Sequence, residues 1–249
     1  MGGRCGCRWG WWWVVRENRH PTIASILHAC QFADLASKFH RSAKRLTKMT
    51  SASPILTLSL NTFIKYYAMD TTKLVGEIGR RMQANGGYDF YRLVAEAIRA
   101  KIRGATDDEI QLLLNASSNL TEISYNRAAY EMFDSKFGKK KGIEEFQKRA
   151  NVKLAGGELQ IGVAPVFSLQ SAAGFSVYQV WAAQNPELDR SRAGVGVYLM
   201  QQAFKKPAPN YDYKVFDAVT GKVYSATSNS TAQAVEVAAR SMINIAKSS

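Results

Sequence analysis

The side chains best suited to chemistry, cysteine and histidine, are confined to one end of this sequence. Cys5, Cys7 and Cys30, with His20, His28 and His40, all precede Arg41, and residues 41–249 contain neither type. Thiol and imidazole catalysis, Cys/His zinc binding and a disulfide framework are therefore excluded from the main body. Cys5-Gly6-Cys7 is tighter than the usual zinc-knuckle spacing and no second pair answers it, so no metal and no cofactor is expected. The remaining chemistry belongs to carboxylates, lysine, arginine, serine and tyrosine. Glu158, Glu187, Asp189, Asp212 and Asp217 flank strand-forming runs. Two or three of them, with Lys153 or Lys222, would suit a metal-dependent nuclease. No spacing singles them out, and phosphate-loop, serine-hydrolase and zinc-protease motifs are absent. The expectation is a protein without catalytic residues.

Cations are the second resource. The formal charge is +13, and residues 1–48 hold nine Lys or Arg against Glu17 and Asp34. The rest of the chain holds 24 against 18 acids, a moderate bias towards polyanions. Its densest basic stretch comprises Lys136, Lys139, Lys140, Lys141, Lys148, Arg149 and Lys153. Lysines directly after a helix also complement its negative carbonyl end. The functional expectation is a non-catalytic protein that contacts DNA or RNA phosphates through this loop, with salt-sensitive binding weakened by reversing Lys139, Lys140 and Lys141. The alternative is a self-associating protein-interaction module with no affinity for nucleic acid.

The elements that must position these residues begin with the best-specified helix, 119–137. Asn119 and Glu122 have capping-box spacing. Ile123, Tyr130, Phe133 and Phe137 share one face, and Gly138 is expected to end the helix in the left-handed conformation. Asn126 falls inside the apolar arc and is expected to be internally hydrogen-bonded or partly exposed. A helix-turn-helix with this segment as recognition helix is disfavoured by Glu122 and Glu131, with Arg127 as the one cation of the exposed face. Further helices are predicted over 54–68, from Asp70 to Met82, from Asp89 to Gly104, from Thr106 to Leu114 and over 143–150.

No charged residue lies between Glu158 and Glu187. Strands are predicted over 159–163, 166–169 and 175–182. The last has Phe175, Val177 and Trp181 on one face and Tyr178 and Val180 on the other, as in a mid-sheet strand covered on both sides. Asn185-Pro186 predicts a short helical turn carrying Glu187 to Arg192. Val195-Gly196-Val197-Tyr198-Leu199-Met200 reads as another strand, its glycines marking close packing. A hairpin over 211–226 precedes a final helix with Ala234, Val237, Ala238, Met242 and Ile245 inward.

The apolar run from Trp9 to Val15 is too short to span a bilayer, and no stretch elsewhere reaches spanning length. The predicted organisation has three parts: a basic leader at 1–48 outside the fold, with Met49 as a candidate initiator; a helical region at 49–153; and an α+β region at 154–249 that could form one domain with it. The fold class is α+β, a multi-helix region followed by a small mixed or antiparallel sheet and a C-terminal packing helix. A cytoplasmic location is expected, or a nucleoid or nuclear one if nucleic acid is bound.

Overall fold

Strand β6 (Gly174–Trp181) is apolar on both faces, and the fold is layered around it. The computed structural model describes residues 53–84, 89–172, 174–205 and 211–249. The leader expected at 1–48 and the candidate start at Met49 lie outside the described residues. The other elements, in chain order, are β1 (Leu56–Ser59), α1 (Leu60–Tyr67), α2 (Thr71–Gln83), α3 (Arg92–Ile102), α4 (Asp107–Leu114) and α5 (Leu120–Phe137). They continue with β2 (Ile143–Glu145), β3 (Ala150–Leu154), β4 (Leu159–Val163), β5 (Phe167–Ser171), α6 (Arg190–Ala203), β7 (Tyr211–Asp217), β8 (Val223–Tyr224) and α7 (Thr231–Ser248). The class is α+β, as expected, with two mixed sheets.

The larger sheet has the order β2-β5-β6-β7-β8, with β6 in the middle and parallel to β7. Tyr178, Val180 and Phe216 face α3, α4 and α5, while Val177, Trp181 and Val215 join the core built with α1, α6 and α7. Phe137, the last residue of α5, closes the first of these layers. Its ring lies 5.7, 5.1, 5.3 and 5.0 Å from those of Phe133, Phe167, Tyr178 and Phe216. The Phe133 pair is stacked and the other three are edge-to-face, and such pairs add to the area they bury.

The smaller sheet has the order β1-β4-β3, with β1 and β4 parallel. Leu56, Leu58, Leu159, Ile161 and Val152 point into the core. The alternate residues Thr57, Ser59, Gln160, Gly162, Asn151 and Lys153 form a polar outer face. Because β1 pairs with β4 and β2 with β5, the chain before and after residue 153 shares both sheets.

Several elements differ from the sequence reading. The helix predicted over 54–68 begins with a strand. Leu56-Thr57-Leu58-Ser59 alternates buried and exposed, and pairing with β4 captures it before Ser59 caps α1. The helix predicted over 143–150 is replaced by β2 and the start of β3, two edge strands too short to show a period. The turn at 187–192 and the strand at 195–200 are instead the single helix α6, capped by Asp189, whose Oδ1 accepts from the Arg192 amide at 2.8 Å. Its glycines do mark close packing, but of a helix. A Cβ on Gly196 would stand 2.9 Å from both Ile64 Cδ1 and Val215 Cγ2. Gly138 is right-handed at φ −56°, and the left-handed glycine of that exit is Gly142 at φ 75°. The inward face of α7 carries Val235, Ala239, Met242, Ile243 and Ala246, with Val237 exposed, so of the fully buried set only Met242 matches the predicted phase.

Candidate functional site

Two adjoining clefts open where β1 and β6 end. Ser59 terminates β1 and its Oγ accepts from the Thr62 amide, which starts α1 there. Asn61, in the first turn of α1, ties the helix to the larger sheet. Its Nδ2 donates to Val180 O at 3.0 Å, and its Oδ1 accepts from Gln179 Nε2 at 3.0 Å. The opposite wall is α3, whose first turn has no side-chain cap of its own. Asn126 of α5 supplies one instead: Oδ1 accepts from the Val94 amide at 3.0 Å, and Nδ2 donates to Phe90 O and Glu122 O, both at 2.8 Å. The amide inside the apolar arc is thus fully buried and internally bonded.

The larger cleft holds about 570 Å³, with Lys65, Tyr66, Arg80, Arg81, Phe90, Tyr91 and Trp181 around it. The smaller holds about 350 Å³ and takes in Arg92, Arg99, Arg149, Gly162 and Gln179. They share a neck formed by Ser59, Asn61, Asp89, Tyr91 and Ala182. The linings bring six cations together with three carboxylates, Glu77, Asp89 and Glu96. Some of the cations are engaged. Arg80 pairs with Glu77 at 2.6 Å, Arg81 donates twice to Thr57 O, and Arg92 meets Glu96 at 3.2 Å.

Arg99 is the most constrained of them. Burial lowers its pKa from the ordinary guanidinium value. Glu145, 3.6 Å away, opposes that shift, and the neighbouring Arg149 cation adds to it. A guanidinium remains charged regardless, so two like charges line one cleft. Burial also raises the Tyr66 and Tyr91 hydroxyls, keeping both neutral. Two buried polar atoms beside the neck lack hydrogen-bond partners, Gln179 Oε1 and Trp181 Nε1.

The seven residues expected from sequence are attached to different elements. Lys136 donates to Gly221 O in the β7–β8 turn. Lys140 Nζ lies 5.1 Å from the Phe137 ring centre, and Lys148 Nζ 5.6 Å from that of Tyr211. Lys139 and Lys141 are exposed. Lys153 lies on the polar face of the smaller sheet, and Arg149 lines the smaller cleft. The face weighed as a recognition helix is occupied internally. Glu122 is buried and accepts from Ser117 Oγ, and Arg127 donates to Asn115.

Four of the five candidate acids hold structural posts. Glu158 pairs with Lys247, Asp212 with Lys214, Asp189 caps α6, and Asp217 accepts from Thr220 in the β7–β8 turn. Among the described residues no group of three or more His, Cys, Asp or Glu gathers as a metal-holding set. Among those residues, too, no helix is long and apolar enough to cross a membrane.

The sequence reading missed most of the cleft because its walls come from separate segments, near residues 59–66, 77–84, 89–99, 149–166 and 179–183. The one local signal was Trp181, two residues after Gln179, in a run without charge.

No protein-family model and no curated protein matches this chain. Among solved structures, the crystal structure of SSO0001 aligns over 72% of this chain and 88% of its own, with a TM-score of 0.30 and 12% identity. A likeness that weak carries no argument about fold or function.

Proposed function

We propose that this protein binds nucleic acid without cleaving it, and that the paired clefts are where it does so. The observation that carries the reading is the gathering of Arg99, which Glu145 meets at 3.6 Å, and Arg149 in one cleft, with Lys65 in the adjoining one. Cations gathered at that density, interleaved with Tyr66, Phe90, Tyr91 and Trp181, suit a phosphate backbone whose bases meet aromatic rings. The polar outer face of the smaller sheet extends the path, since Asn151 and Lys153 follow Arg149 at alternate positions of an extended segment. Glu158, Asp189, Asp212 and Asp217 are committed to ion pairs, a helix cap and a turn, which favours binding over hydrolysis.

The test is a gel-shift salt series on the full chain. Affinity is expected to fall linearly in log–log form, with a slope of roughly −0.7 to −0.9 per phosphate contact. No binding at low salt, or binding indifferent to salt, would overturn the reading. A second reading places the contact at Lys139, Lys140 and Lys141. It is supported by Lys139 and Lys141, which are exposed and make no hydrogen bond or ion pair among the described residues.

A further inference from the structure

Resting on that reading, we infer that the clefts accept an unpaired strand and seat one of its bases at their shared neck, where the Gln179 side chain, which lines the smaller cleft beside it, turns to meet its edge. Two buried polar atoms on either side of the neck carry the inference, one from Gln179, which lines the smaller cleft, and one from Trp181, which lines the larger. The Gln179 side chain is 7% exposed, and its Nε2 is committed to Asn61 Oδ1, yet its Oε1 has no partner. Trp181, 1% exposed, has an indole N–H without an acceptor. Buried polar groups left unpaired in a folded protein call for a partner. Gln179 Oε1 needs a donor, and that requirement discriminates between ligands. Phosphodiester oxygens accept only, so a bare polyanion cannot satisfy it. The N–H groups on a nucleobase edge can, and base carbonyls or ring nitrogens can accept from Trp181 Nε1.

The surroundings match a nucleotide in that position. Tyr91, a neck residue shared by both clefts, is half-buried and offers a ring for stacking. Cations flank the neck on both sides, Arg99 and Arg149 in one direction and Lys65 in the other, where successive phosphates of a strand would lie. A duplex keeps its Watson–Crick edges paired and its base faces stacked. It therefore offers only its groove edges and no free base to seat between the clefts.

The test compares three fluorescent probes on the full-length protein at one salt concentration: a mixed-sequence DNA single strand, its duplex, and the same strand made abasic. The base-bearing single strand is expected to bind about tenfold more tightly than either of the others. Gln179→Met should bring the base-bearing strand to within about threefold of the abasic one. Should that variant fail to fold, Tyr91→Leu reports the same loss through stacking. Equal or tighter binding of duplex, or no penalty for the abasic strand, overturns this inference and leaves nucleic-acid binding standing. A uniform weakening of all three probes in Gln179→Met also overturns it. Failure of every probe to bind removes the underlying reading as well.

Discussion

Replacing Asn126 by Leu tests how the cleft wall is held. The side chain makes three hydrogen bonds, accepting from Val94 N at 3.0 Å and donating to Phe90 O and Glu122 O at 2.8 Å each. Glu122 O lies inside α5, where the backbone ladder still serves it. The other two groups lose what the side chain provides. Val94 N is in the first turn of α3 and has no intrahelical partner, and Val94 is 2% exposed. An orphaned buried amide costs about 1–3 kcal/mol, and the part-buried Phe90 carbonyl adds a contribution near the lower end of that range. Leucine fills a similar volume, so the cavity contribution is small. The sum predicts a loss of about 3 kcal/mol in unfolding free energy by urea titration. Asn126→Asp should cost more at neutral pH, because it keeps the acceptor for Val94 N but sets a carboxylate against two carbonyls. A loss below about 1 kcal/mol for Leu, or tolerance of Asp, would refute the claim that this amide pins α3 to α5.

Two further perturbations probe the rest of the frame. Gly196→Val drives a side chain into Ile64 and Val215, so α6 must shift away from β7, and a loss of about 2 kcal/mol is expected in the same titration. Thr106→Ala breaks the capping box of α4, in which Thr106 Oγ1 accepts from the Glu109 amide and the Glu109 carboxylate accepts from Thr106 N, and costs about 1 kcal/mol. Those hydrogen bonds hold the Glu109 carboxyl below its ordinary range. Its contribution is therefore present above the unfolded-state pKa and lost as pH falls through the lower, folded value. Thermal melts from neutral into acid pH should show this step in the wild type and a smaller one in Thr106→Ala.

What could be read from the sequence was decided by local chemistry. The caps at Asp70, Thr106 and Asn119 all accept from the first-turn amides expected of them, because a short polar side chain beside an apolar period needs no tertiary context. The two-sided β6 was legible for a similar reason, since period-two apolarity on both faces has one stable setting. Where context ruled, the reading failed. Leu56 to Ser59 suits either a helix start or a strand, and β4, a hundred residues away, decides it. The valines and glycines of α6 have strand-like composition, yet the glycines are there so that a helix can approach Ile64 and Val215. The cleft was hidden for the same reason. Lys65, Arg81, Arg99 and Arg149 are unremarkable where they stand in the chain, and only the two sheets bring them to one rim.

The most direct test of the central claim sets two charge-reversed proteins side by side in anisotropy titrations with one single-stranded oligonucleotide. In one, Lys65→Glu is combined with Arg149→Glu at the cleft. In the other, Lys139, Lys140 and Lys141 are all changed to Glu on the loop after α5. The cleft variant is predicted to lose affinity and to flatten the salt slope by about 1.4, the share of two contacts on a single strand, while the loop variant stays close to wild type. Loss in the loop variant with the cleft variant unchanged would contradict the account.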